Sequence, residues 1–395
     1  MKYRRFGRTE LQMPVFSCGG MRYQHKWEDV APADIPKKNQ ENLEATIHRA
    51  VEVGINHIET ARGYGTSEMQ LGWVLPQLPR ESIIVQTKVA PSADPQEFLD
   101  TFEKSISYLQ LDYVDLLSIH GINNKELLEW TMRPGGCLEK AQQFQKEGRV
   151  RHIGFSTHAL CHDILNAIET NAFDYVNLHW YFVNEFNWPA IEAAHKQDMG
   201  VFIISPNDKG GMLYKPSPEL VELCHPLHPM QFNDLFCLHR PEVHTLSLGA
   251  DKPSDFDEHV SALQWYDDIA QTITPIEQRL RQKLEDTHGK EWMATWWQGI
   301  PHWHDCPGEL QVHEMLRLFT FVKAFHLAEY GQMRYNLLGN ADHWFAGKNA
   351  KADFDEIALV EALKNNPFAQ EIPAKLRELN RLCAGEEKKR LSQGD

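Results

Sequence analysis

Val114-Asp115-Leu116-Leu117-Ser118-Ile119-His120, then the amphipathic stretch Leu138–Lys146, then Val150-Arg151-His152-Ile153-Gly154-Phe155-Ser156-Thr157, form one strand–helix–strand unit. A short run that is apolar over most of its length suits a strand buried on both faces. Such strands belong to parallel sheets whose crossovers are helices. The same alternation extends outward in both directions. Val15–Gly20, His57–Ala61 and Ile83–Val89 precede the unit; Tyr175–Trp180, Val201–Pro206 and Val243–Gly249 follow it. Between the runs lie stretches of helical spacing: Asn39–Val53, Pro95–Leu109, Leu160–Glu169, Pro189–Asp198 and Ser254–Ala270. Eight such units favour a closed (β/α)₈ TIM barrel in the α/β class, because an open doubly wound sheet usually has fewer. Ahead of the first unit, Tyr3–Phe6, the turn Gly7-Arg8-Thr9 and Leu11–Pro14 read as an N-terminal β-hairpin capping the barrel bottom.

Beyond residue 270 the strand signal stops. Ile276–Thr287, Leu310–Glu329, Ile357–Leu363 and Pro373–Cys383 have helical periodicity, and Trp292, Trp296, Trp297, Trp303 and Trp344 gather among them. The expected organisation is a barrel over residues 1–270 and a C-terminal α-helical extension over 271–395, with a frayed charged tail after Ala384. Clustered tryptophans usually serve burial, so these are read as packing material.

Net charge is −15, and no lysine- or arginine-rich block offsets it. Such a surface repels phosphate backbones and anionic lipid, which argues against nucleic-acid or membrane partners. The apolar runs fall short of the ~18 residues of a membrane span. The first seven residues turn polar too early for a secretory signal. Seven scattered cysteines without a Cys-x-x-Cys pair suit reduced thiols. The expectation is a soluble, cytoplasmic protein.

Barrels of this kind gather their chemistry at the C-terminal ends of the strands. That rim offers Glu59, Tyr64 five residues on, Lys88 and His120. A phenol, with a reference pKa near ~10, is a poor proton donor at neutral pH, and a neighbouring ammonium favours its ionised form. The carboxylate keeps the lysine charged and placed, and the imidazole can orient a carbonyl oxygen or relay a proton. Together the four suit protonation of an oxygen while hydride reaches its carbon. Each alone has a plainer reading: a surface tyrosine, solvated strand-end charges, a hydrogen-bonded histidine. The coincidence on three successive units favours the catalytic one.

Several segments resemble the aldo-keto reductase family. Glu59-Thr60-Ala61-Arg62-Gly63-Tyr64-Gly65-Thr66-Ser67-Glu68 is similar to its Asp-Thr-Ala-x-x-Tyr-Gly-x-x-Glu, and Thr87-Lys88 to its strand-three Thr-Lys. Asp112–His120 resembles its Asp-Tyr-Ile-Asp-Leu-(x)₃-His, and Gly148–Thr157 its Gly-Lys-Ile-Arg-x-Ile-Gly-x-Ser-Asn. The hairpin and Gly19-Gly20-Met21 fit the family's opening, so the match spans residues 1 to 265.

The resemblance implies reduction of a small-molecule carbonyl, an aldehyde or ketone, with Tyr64 as proton donor and Lys88, Glu59 and His120 assisting. It implies NADPH, with NADH as the alternative, bound without a Rossmann fingerprint. Gly20 and Met21 belong to the implied cofactor site. Ser156, Thr157 and Asn177 match nicotinamide-amide contacts, and Ser205, Asn207 and Lys209 match the pyrophosphate-facing loop. Gly249, Ala250, Lys252, Asp255 and His259 match the adenosine end. Glu59 stands where the family has Asp; its charge survives on a longer arm and is expected to pair with Lys88. Thr157 and Asn177 replace Asn and Gln, Ile204 replaces a stacking aromatic, and His259 replaces an adenine-contacting Asn. Asp251 sits near the expected 2′-phosphate, with Lys252 the obvious cation. These departures point to weaker or less NADP-selective binding.

The extension resembles a family subgroup that continues into a ferredoxin-like segment with iron–sulfur centres. Gly210–Tyr214, Cys306-Pro307, Tyr330-Gly331, Tyr335 and Trp344–Gly347 match its landmarks. Only Cys306 and Cys383 remain after residue 270, and a cluster needs four thiolates, so no iron–sulfur cluster is expected. His302-x-His304-x-Cys306 has no evident fourth ligand and reads as ordinary loop residues. The alternative to an enzyme is a nucleotide-binding regulatory or scaffold protein, with a protein partner engaged through the extension.

Overall fold

The computed structural model describes residues 1–351 and 353–390; the last five residues of the expected tail lie outside the described residues. β1 (Tyr3–Arg5) and β2 (Gln12–Pro14) pair antiparallel as the hairpin. Eight strands follow: β3 (Phe16–Gly19), β4 (His57–Glu59), β5 (Ile84–Val89), β6 (Val114–His120), β7 (Val150–Ser156), β8 (Tyr175–Leu178), β9 (Gly200–Ile203) and β10 (Thr245–Gly249). They close into a barrel in the order β10-β3-β4-β5-β6-β7-β8-β9. All eight pairings are parallel, as the helical crossovers require.

The hairpin delivers Phe6 and Met13 into a buried cluster with Ile84, Leu116, Tyr175 and Phe202. Phe6 lies 5.7 Å from the Tyr175 ring and 5.6 Å from His244, at the start of the strands, so one end of the barrel is closed by aromatic packing. Above it the interior is polar and partly bonded, His57 Nε2 and Gln86 Oε1 having no hydrogen-bond partner among the described residues. Ser17 Oγ lies 2.7 Å from both His57 Nδ1 and Thr245 Oγ1. Gln86 donates to Ser118 Oγ at 2.9 Å, and Ser118 to the Tyr175 hydroxyl at 3.0 Å. Burial, followed by the nearby Lys88 charge, holds His57 down to about 3, so its imidazole is neutral.

The chain divides into two compact units, one of Met1–Pro206 with Asn233–Asp267, the other of Asn207–Phe232 with Asp268–Arg390. The second begins near the expected boundary but also takes an insert from between β9 and β10. Hydrogen bonds explain this: Ser217 Oγ donates to the Phe325 carbonyl at 2.6 Å, Tyr330 to the Lys209 carbonyl at 3.0 Å, and Arg279 to the Leu223 carbonyl at 3.0 Å. Within this unit Val312–Phe325 is buried along most of its length, as a helix apolar on every face must be. The expected helix Leu310–Glu329 breaks at His326, whose φ of 53° is left-handed, and a new helix runs from Ala328 to Leu337. Trp292 and Trp296 are buried, with the Trp292 indole donating to Thr320 Oγ1 at 3.0 Å. All seven cysteines are free thiols, and no described helix is long and apolar enough to cross a membrane.

Candidate active site

Strand register assembles the rim. Glu59 pairs with Gly19 on one side and Gln86 on the other, and Lys88 faces Ser118. His120 faces Ser156, which faces Asn177. Residues of one parity along each strand point inward, so these side chains converge. Lys88 Nζ donates to Glu59 Oε2, to the Thr60 carbonyl at 2.9 Å and, in a longer contact, to the Tyr64 hydroxyl at 3.4 Å. Three N–H groups thus meet three oxygens, which a buried ammonium requires. Both Lys88 and Glu59 are almost wholly enclosed, at 2% and 3% exposure. Burial alone would lower the ammonium, but Glu59 and then Tyr64 outweigh it and hold Lys88 above its ordinary range.

Tyr64 is fixed by its loop. Gly65 has φ +55°, and a Cβ there would sit 1.9 Å from the Lys26 carbonyl, so only glycine allows this approach. Thr66 N–H donates to that same carbonyl at 2.9 Å, tying the loop to the segment that carries Trp27. The Tyr64 ring then meets Trp27 edge-on at 6.2 Å and His120 edge-on at 5.8 Å. Arg62 bonds Glu68 at 2.6 Å and the Gly65 carbonyl at 2.9 Å, while Thr87 donates to Glu68 at 2.5 Å. Glu68 is fully buried, and burial raises its carboxyl despite Arg62 and Thr87. This conserves the loop's shape between β4 and β5 and with it the reach of the Tyr64 hydroxyl to Lys88.

The longer arm of Glu59 spans two partners. Oε2 meets Lys88, and Oε1 accepts from Ser247 Oγ on β10 at 2.9 Å. Gly19 leaves the room: a Cβ there would lie 2.8 Å from Ser247 Oγ and 3.2 Å from Glu59 Oε1. The sequence pattern did not mark Ser247 or Trp27, and Gly19 figured only as part of the family's opening. The signal for Ser247 was its two-residue spacing from Thr245 and Gly249, which puts all three on one face of β10.

The residues expected around a cofactor fall into distinct settings. Gly20 N–H donates to the Glu59 carbonyl at 2.7 Å, and Met21 is partly exposed. Ser156 Oγ accepts from Gly121 N–H at 3.1 Å. Thr157 is turned inward, its hydroxyl donating to the Ile122 carbonyl at 2.8 Å and accepting from Ala159 N–H at 3.0 Å. Asn177 is fully buried at the rim, and neither its amide nitrogen nor its amide oxygen has a hydrogen-bond partner among the described residues. Ser205 is left-handed at φ 53° beside Ile204. Asn207 and Lys209 lie in the second unit. At the end of β10, Gly249 and Ala250 lead to a turn in which Asp255 accepts from Asp251 and Lys252 N–H at 2.9 and 3.2 Å. His259 is buried, bonded through Nδ1 to Asp234 and set 5.8 Å from the Phe16 ring, so it serves the core. Lys252 is not the only cation here: a Cβ on Gly249 would touch Arg22 Nε at 3.4 Å.

Known proteins resemble this chain in sequence and in fold. The chain matches the Aldo/keto reductase family over residues 16–215, just over half its length. It is 33% identical to L-galactose dehydrogenase of Arabidopsis thaliana over 165 residues, 40% of this chain and 48% of that protein. It is 32% identical to prostaglandin F synthase 1 of Bos taurus over 203 residues, 50% of this chain and 53% of that protein. The chain spans about half the length of these curated relatives. In fold it is similar to the holo form of an aldo-keto reductase from Bacillus halodurans, with TM-score 0.58 and 19% identity, covering 71% of this chain and 96% of that one. A thermostable aldo-keto reductase solved with the inhibitor epalrestat gives TM-score 0.58 and 20% identity, over 70% of this chain and 100% of that one. The family match covers more than half of the chain and the barrel order agrees with it, and the chain belongs to the aldo/keto reductase family.

Proposed function

We propose that this chain is an NAD(P)H-dependent oxidoreductase that reduces an aldehyde or ketone to an alcohol. The observation that carries the reading is Lys88, whose ammonium bridges the Glu59 carboxylate and the Tyr64 hydroxyl in a closed rim. In this reading Tyr64 gives its proton to the carbonyl oxygen, Lys88 stabilises the phenolate left behind, and Glu59 holds Lys88 in place. His120, edge-on to Tyr64, orients the carbonyl oxygen toward the phenol. The nicotinamide, when bound, supplies hydride to the carbonyl carbon. Asn177 supports such a group, because a buried amide without partners is costly and a carboxamide would satisfy both its donor and its acceptor. Ser156 stands beside it in register, while Thr157 braces the loop. Lys252 and Arg22 are the cations proposed for the phosphate end, with Gly20, Met21, Ser205, Gly249, Ala250 and Asp255 along the cofactor's course.

The test is direct. The purified chain is titrated with NADPH and NADH, then assayed with a panel of aldehydes and ketones by loss of reduced-nicotinamide absorbance. Saturable binding with turnover on at least one carbonyl is expected. Tight binding without turnover on any carbonyl overturns the enzymatic reading, and absence of binding overturns the cofactor.

A further inference from the structure

The loop that carries Tyr64 is held from two sides, and proton transfer itself does not use the outer hold. On the inner side Arg62 donates to Glu68 at 2.6 Å and to the Gly65 carbonyl at 2.9 Å. On the outer side the Asp29 carboxylate joins two cations. It accepts from Arg62 and, at 2.5 Å, from Lys104 Nζ on the helix Pro95–Leu109. Both cations lie over the Tyr108 ring, 4.8 and 5.4 Å from its centroid. Two cations thus meet two carboxylates in one chain of contacts, Glu68–Arg62–Asp29–Lys104.

Exposure separates the two halves of that chain. The side chains of Arg62 and Glu68 are 12% and 0% exposed, so salt hardly reaches their pair. Those of Asp29 and Lys104 are 34% and 48% exposed, and a screened pair of this kind shifts an opening equilibrium by about two- to five-fold. That is enough to bias a strap and too little to lock it. Asp29 ends such a strap, residues 25–29, whose other end is fastened to the Tyr64 loop. There His25 N–H donates to Gln70 Oε1 at 2.9 Å, and the Lys26 carbonyl accepts from Thr66 N–H at 2.9 Å. Trp27 stands between the two fastenings, edge-on to Tyr64, and with His120 on the same ring it sets the tilt of the phenol.

We propose that Asp29 is a positioning residue. Its carboxylate clasps the strap 25–29 to Arg62 and Lys104, and so holds Trp27 in the place that aims the Tyr64 phenol at a carbonyl oxygen. The aiming rests on the reduction proposed above, whereas the clasp does not. Asp29 and Lys104 lie outside the motifs that carry the family resemblance, and Arg62 falls where the motif leaves the residue open.

Tryptic cleavage after Lys26 reads the strap, and steady-state kinetics with NADPH read the phenol. Asp29→Asn should speed cleavage about three-fold or more, because cleavage follows the open population. It should lower kcat by a similar factor while NADPH affinity stays within about two-fold of wild type. Asp29→Glu, which restores the charge, should recover part of both changes. Salt at ~1 M, where the screening length falls to about 3 Å, should speed cleavage of the wild type relative to Asp29→Asn. Circular dichroism establishes that each variant is folded. Should Asp29→Asn not fold, Lys104→Met carries the test from the other partner, with faster cleavage expected and an unchanged rate contradicting the clasp. Unchanged cleavage of folded Asp29→Asn overturns the clasp, and faster cleavage with kcat intact overturns the aiming of Tyr64. A wild type that binds NADPH but turns over no carbonyl removes the reduction and the aiming together, while cleavage still decides the clasp.

Discussion

Lys88 and Lys209 are both lysines closely surrounded by protein, one at the barrel rim and one in the helical unit, and their ammonium groups move in opposite directions. Burial works against both. At Lys88 it is outweighed by Glu59 and Tyr64, which hold the charge. At Lys209 it is reinforced by Arg334 and Arg390, which expel it. The environment within the last few ångströms decides what a buried lysine does: in one unit its neighbours hold the ammonium charged, in the other they disfavour the charge.

Removing the paired lysine should have the largest effect. Lys88→Met leaves the Glu59 carboxylate enclosed without its cation, and a broken buried pair costs ~3–5 kcal/mol of folding stability. Chemical denaturation measures this; a loss under ~1 kcal/mol would mean that the rim is more hydrated than its 2% and 3% exposures indicate.

Next is Glu59→Asp. The shorter acid cannot reach both Lys88 and Ser247, and misplacing a catalytic group by about a bond length can reduce turnover by ~10²-fold. A several-fold rise in kcat for simple aldehydes would instead show that the longer arm is a defect, and would favour a regulatory protein over an enzyme.

Acid should then weaken both units. His57 at about 3 and His313 at about 4 remain neutral in the folded chain, whereas an unfolded histidine takes up a proton below ~6.5. Their contribution is fully present above pH ~6.5 and is lost as pH falls toward about 4, amounting to ~2 kcal/mol for each by pH ~5. His313→Leu should flatten the slope of stability against pH; an unchanged slope would show that His313 protonates in the folded state.

Much of the barrel was legible because strands buried on both faces write near-continuous apolar runs. All eight runs became strands, and Pro95–Leu109 matches its helix to the residue. Glu59, Tyr64, Lys88 and His120 were legible because strand ends in a closed barrel must share a rim. What escaped depends on contacts between distant segments. Ser247 meets Glu59 across 188 positions, and Arg22 reaches Gly249 through closure of the barrel between β3 and β10. The insert 207–232 looked like barrel loop because nothing local records its bonds to Phe325 and Tyr330. Helical periodicity ran on through His326, since a single left-handed residue leaves little trace in an apolar pattern. Thr157 and His259 were placed by analogy of position, and the alternative partners Ile122 and Asp234 are visible only in three dimensions.

The central claim is that the rim performs chemistry instead of merely holding a nucleotide, and Tyr64→Phe tests it most directly. NADPH affinity, read from quenching of protein fluorescence, and kcat for the best carbonyl substrate are measured on the same folded variant. Loss of the phenolic proton should reduce kcat by ~10²–10⁴-fold while affinity stays within about two-fold of wild type. Equal losses of binding and turnover, or turnover left intact, would contradict it.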